Sequence, residues 1–75
     1  MLDKVIVLIE KILNVSSGMV TPDTEIGELP EWDSLHNVQI MAELEKQFGV
    51  KITPEMVMDL ETVADIADLM EELAE

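Results

Sequence analysis

From Ser34 to Phe48 the chain runs without a glycine or proline, between Pro30 on one side and Gly49 on the other. Leu35, Val38, Met41, Ala42, Leu44 and Phe48 recur at helical intervals inside this stretch, with Ile40 beside them. The spacing predicts a helix over 34–48. Gly49 reads as its left-handed cap, and Val50 as the apolar residue that often accompanies such a cap. No segment shows the alternation of a half-buried strand. The chain is therefore constrained to bury helix against helix, which predicts an all-α fold.

The remaining elements follow from the same signals. Leu2, Val5, Ile6, Ile9, Ile12 and Leu13 mark an amphipathic helix over about 2–14, its apolar arc widened by Val7 and Leu8. Thr53-Pro54 predicts an N-cap followed by proline in the first turn, opening a short helix to about Asp59. Thr62 with Asp65 resembles a capping box at the start of a last helix lined by Val63, Ile66, Ala67, Met70 and Leu73. The expectation is a four-helix bundle with a long first loop and a short third helix, forming a single domain over 1–75. The loop from Asn14 to Glu31 is too long to be structureless in a compact domain. Met19, Val20, Ile26 and Leu29 are its expected anchors.

Charge narrows the function. Seventeen acidic residues against four lysines, with no arginine, give a formal charge of -13. The phosphate backbone of nucleic acid would be repelled, and so would an anionic membrane surface. An apolar content of 48% is too high for a disordered acidic chain, so the charge belongs on a folded surface that attracts basic partners. Cysteine is absent, which excludes disulfides and thiolate chemistry by the chain itself. Met1-Leu2-Asp3-Lys4 lacks the basic region of a secretory leader, and Val5–Ile9 is too short to span a bilayer, so a cytoplasmic location without membrane insertion is expected. A domain of this size buries only about 60% of the surface its unfolded chain exposes, which leaves no room for a deep catalytic pocket.

Chemistry then centres on Ser34. Serine at a helix start is ordinarily an N-cap, but Asp33 is as good a cap and precedes it directly. Two cap-grade residues stand where one suffices, so the Ser34 hydroxyl is expected to be free and exposed. A phosphate on that oxygen would face unpaired N–H groups and the positive end of the helix dipole. A hydrolytic role is not expected. His36, the only histidine, is at i+2 on the helix and points away from Ser34 in a geometry that Asp33 cannot orient, and no Gly-x-Ser-x-Gly elbow is present. One histidine among scattered carboxylates has no metal-ligand spacing, so no metal site is expected.

Asp33-Ser34-Leu35, followed by Glu43-Leu44-Glu45 and Phe48-Gly49-Val50-Lys51-Ile52 in an acidic chain of this length, resembles the acyl carrier proteins over nearly the whole sequence. The resemblance implies that Ser34 receives 4'-phosphopantetheine from coenzyme A through a phosphopantetheinyl transferase using Mg²⁺. The prosthetic thiol then carries acyl or aminoacyl groups as thioesters. It further implies that Asp33, Leu35, Glu43 and Glu45 serve partner recognition, and that Val38, Ile40, Met41, Met56 and Val57 lie near the tether. Partners would be activating ligases or synthases with basic docking patches, and the chain a monomeric, non-catalytic substrate of other enzymes. The sequence departs from the fatty-acid type. Pro30-Glu31-Trp32 replaces the usual glycine-containing step, and His36, Gln39 and Lys46 stand where acids are common. The Trp-Asp-Ser-Leu entry looks more like stand-alone carriers loaded by dedicated ligases. The competing reading is a cofactor-free acidic adaptor or inhibitor that binds one basic partner.

Trp32 reads most simply as a loop residue packed on the bundle, with partner docking the alternative. Met41, Met56, Met58 and Met70 read as core, and their adaptability would also suit an acyl tail. Glu71-Glu72-Leu73-Ala74-Glu75 reads as a solvated last turn. Asp59, Glu61, Asp65 and Asp68 show no Ca²⁺-loop pattern.

Overall fold

A computed structural model describes residues 1–74. Its elements run α1 (Leu2–Leu13), α2 (Ser34–Phe48), α3 (Pro54–Met58) and α4 (Val63–Ala74). Local caps set these boundaries. Asp33 caps α2, and Thr53 caps α3 by accepting the Met56 N–H. At α4 the Thr62 hydroxyl accepts the Asp65 N–H, while the Asp65 carboxylate accepts from both Thr62 and Glu61. This is the expected capping box with aspartate in the glutamate position. Glu75 of the expected acidic tail lies outside the described residues; Glu71 and Glu72 are exposed.

α1 and α2 end alike. Asn14 and Gly49 both take left-handed conformations, at φ 58° and 64°. In α1 the Glu10 carbonyl accepts the N–H groups of Asn14 and Val15. In α2 the Glu45 carbonyl accepts those of Gly49 and Val50.

One apolar core joins Val5, Leu8, Ile9 and Leu13 of α1, Ile40 and Leu44 of α2, and Val63, Ile66, Ala67 and Met70 of α4. Val20 and Trp32 close it from the loop, and Ile26 and Leu29 pack against it half-buried. Trp32 is only 3% exposed, as the packing account of this residue expects. Three expectations change. On α2, Leu35 and Val38 are 65% and 66% exposed and Ala42 is exposed, while Ile40 and Leu44 are fully buried. Leu35 stands about two and a half turns before Leu44, on the opposite side of the helix, and α1 and α4 pack on the Leu44 side. Met19 is exposed and does not anchor the loop. Of the four methionines expected in the core only Met70 is fully enclosed; Met41 and Met56 are half-buried and Met58 is 83% exposed.

The long loop is held largely by backbone. Ile26 N–H donates to Glu61 O at 2.9 Å, Val63 N–H to Thr24 O at 2.9 Å and Ala64 N–H to Pro22 O at 3.0 Å, so the loop lies against the start of α4. The buried Thr24 hydroxyl accepts the Thr21 N–H at 2.9 Å and tightens the turn between them.

Candidate functional site

The loop delivers the chain to α2 in a fixed register. Trp32 N–H donates to Leu29 O at 2.9 Å, and the indole Nε1–H donates to Asn37 Oδ1 at 3.0 Å. A buried ring thereby ties the last loop turn to the first turn of α2. Asp33 follows in extended backbone, and its Oδ1 accepts the His36 N–H at 2.9 Å. The cap is therefore aspartate, and the adjacent Ser34 is exposed, as its surplus hydroxyl requires. α2 begins at Ser34, so the N–H groups of Ser34 and Leu35 stand outside the intrahelical ladder and face the same end as the Ser34 side chain.

His36 is placed differently from expectation. Its Nδ1 lies 2.8 Å from Asp33 Oδ1, in contact with the residue expected to be unable to orient it. A carboxylate only accepts, so Nδ1 carries the proton. The ring folds back toward the helix start because i and i+3 share a face. The His36 backbone N–H first, and the imidazole second, hold the Asp33 carboxyl below its ordinary value. Among the described residues no hydrogen bond joins the Ser34 hydroxyl to this pair, so the arrangement is not a serine–histidine–aspartate relay.

Two recesses meet at Asn37 near the head of α2, and Ser34 lines one of them. A cleft of about 280 Å³ on the loop side is lined by Ile26, Gly27, Trp32, Asp33, Ser34 and Asn37. Gly27 takes φ 84°, a conformation that strains any other residue, whereas a Cβ there would make only ordinary contact, 3.8 Å from the Trp32 carbonyl. On the other side a groove of about 370 Å³ between α2 and α3 is walled by Val38, Met41 and Ala42 against Ile52, Pro54 and Val57, with Asn37 and Glu45 on its rim. Asn37 borders both recesses. Val38, Met41 and Val57, expected near a tether, line the groove. Ile40 is enclosed in the core, and Met56 borders a separate cleft between α3 and α4. Leu35 is exposed beside Ser34, and Glu43 is half-buried.

Glu45 is committed within the chain. Its Oε2 accepts the Ile52 N–H at 2.7 Å, short enough for a charge-assisted bond. Glu10 acts in the same way at the end of α1, accepting Gly18 N–H at 2.8 Å and Val20 N–H at 3.2 Å through Oε2. Sequence reasoning missed both. The available signal was a glutamate four residues before a left-handed cap. Among the described residues there is no grouping of histidine and carboxylates suited to a metal, and no helix is long and apolar enough to cross a membrane.

Comparison with known proteins gives a consistent result. Residues 3–70 match the family model described as the phosphopantetheine attachment site. The acyl carrier protein of Thermosynechococcus vestitus is 35% identical over 69 residues, covering 92% of this chain and 85% of that protein. The chloroplastic acyl carrier protein 1 of spinach (Spinacia oleracea) is 35% identical over 75 residues, covering 99% of this chain and 54% of that protein. The chain thus spans about half the length of such chloroplastic relatives. The solution structure of a holo acyl carrier protein from Geobacter metallireducens superposes with a TM-score of 0.86 at 25% identity, covering 96% of this chain and 83% of that one.

Proposed function

Because this chain belongs to the acyl carrier proteins, the family of the phosphopantetheine attachment site, we propose that Ser34 is its attachment residue. The observation that carries this reading is the division of labour at the head of α2: Asp33 does the capping and leaves the Ser34 hydroxyl exposed. The residues present fit the group. A phosphodiester on Ser34 Oγ would meet the N–H groups of Ser34 and Leu35 and the positive end of α2. When bound, 4'-phosphopantetheine supplies the thiol that the cysteine-free chain lacks, and that thiol holds acyl or aminoacyl groups as thioesters.

The chain's own part is positional. Trp32 and Asn37 fix the approach of the loop, so Ser34 is presented at one place on the surface. Asp33 has Oδ1 engaged by His36, which leaves Oδ2 toward a phosphopantetheinyl transferase. Leu35 gives that enzyme an exposed apolar contact, and Glu43 a carboxylate further along α2. Val38, Met41 and Val57 offer an apolar bed for the tether about one turn below Ser34, since i and i+4 share a helix face. We read the chain as a non-catalytic cytoplasmic monomer, loaded by ligases or synthases whose basic patches meet its acidic surface.

The test is intact mass after incubation with coenzyme A, Mg²⁺ and a broad-specificity transferase. Wild type is expected to gain one phosphopantetheine, and Ser34→Ala none. A wild type that gains nothing would overturn the reading and return the chain to the acidic adaptor class.

A further inference from the structure

The groove between α2 and α3 has a wall whose first residue, Ile52, is hydrogen-bonded to a side chain of α2. Ile52, Thr53, Pro54 and Val57 form that wall; Ile52 lies in the turn that follows Gly49 and Val50, while Thr53 caps α3 and Pro54 opens it. The Glu45 carbonyl accepts from Gly49 and Val50, and its carboxylate accepts from Ile52. Three N–H groups of the turn therefore converge on a single residue, which also stands on the rim of the groove. A carboxylate held at 2.7 Å by a backbone N–H is not a freely mobile docking charge.

We propose that Glu45 is a positioning residue for the cargo groove, whose carboxylate fixes the Ile52–Pro54 wall against α2 and thereby sets whether a group carried on Ser34 can rest between α2 and α3. This rests on Ser34 being the attachment site. It assigns Glu45 to the carrier's interior geometry rather than to recognition of basic partners. The property that matters is then the acceptor atom and not the negative charge. Glutamine supplies the same acceptor at the same reach, aspartate is one methylene too short, and alanine supplies none.

The experiment follows amide exchange at Ile52 by NMR in the apo protein. In holo protein loaded with a medium-chain acyl thioester, it follows the lifetime of the thioester toward hydroxylamine. In Glu45→Ala and Glu45→Asp, Ile52 exchange is expected to quicken about tenfold and the thioester lifetime to shorten, with far-UV circular dichroism unchanged. Glu45→Gln is expected to stay within about twofold of wild type in both, and to leave the transferase KM unchanged. The proposal is overturned if alanine leaves Ile52 exchange and thioester lifetime at wild-type values. It is equally overturned if glutamine raises the transferase KM severalfold, because the charge would then be what counts. Should alanine fail to fold, the aspartate and glutamine arms make the same distinction. Loss of attachment at Ser34 would appear as absent mass gain, while Ile52 exchange could still be read, so the two ideas fail separately.

Discussion

The ends of α1 and α2 use one device at two depths. Each helix closes on a left-handed residue, and each places a glutamate four residues earlier whose carbonyl takes the capping bonds and whose carboxylate reaches into the following loop. Glu10 is 9% exposed and holds two loop N–H groups, one of them from the buried Val20. Glu45 is half-exposed and holds one. The surroundings differ in the same sense. α1 buries five residues and α4 four, whereas α2 buries two and α3 none. The α1 junction locks the long loop onto the core; the α2 junction shapes an open groove. With Ser34 as the proposed attachment residue, the two junctions divide the work: a rigid frame presents it, and a less buried region adapts to what is attached.

The sharpest test of this contrast lies within α2. Leu44→Ala should cost about 3 kcal/mol in urea denaturation, because it opens a cavity in the core against α1 and α4. Leu35→Ala, on the opposite face, should stay within about 0.5 kcal/mol. Similar losses from the two would mean that the assigned buried face of α2 is wrong.

The glutamates should rank next. Glu10→Ala strands two N–H groups under the loop and is expected to destabilise by about 2–3 kcal/mol, whereas Glu45→Ala strands one half-exposed group at about 1 kcal/mol. Denaturation midpoints of the two variants, measured side by side, decide this. Equal losses would erase the difference in depth.

Acid should act on the two aspartate caps at the helix starts. Asp33 and Asp65 are both held below the ordinary carboxylate value, Asp33 by the His36 N–H and imidazole, and Asp65 by the Glu61 and Thr62 N–H groups. A depressed folded-state value means the unfolded chain binds protons more readily. Their stabilisation is therefore complete above the unfolded value of about 3.9 and is lost as pH falls through the lower folded values. Urea midpoints between about pH 5 and 2 should fall less steeply in Asp65→Asn than in wild type. An unchanged slope would remove the α4 cap from the account.

The smallest expected effect is that of salt. With a formal charge of -13, self-repulsion acts on the whole fold, so added NaCl should raise the thermal midpoint by a few degrees in wild type and in both glutamate variants alike. A flat response would show that the acidic excess carries little energetic weight.

The sequence by itself determined where the helices begin and end. Asp33, Gly49, Thr53-Pro54 and the Thr62–Asp65 pair act within a turn of themselves, so their meaning survives without knowledge of the rest of the chain. For the same reason the Asp33-Ser34 pair exposed the candidate site. Periodicity could not say which arc of α2 faces inward, because Leu35, Val38 and Ala42 offer one apolar stripe and Ile40, Leu44 and Phe48 another. Only the packing of α1 and α4 chose between them. Nor could it show what Glu10 and Glu45 do. Their partners lie eight, ten and seven residues onward in loops, and a carboxylate finds such N–H groups only after the tertiary path of the backbone has brought them within reach.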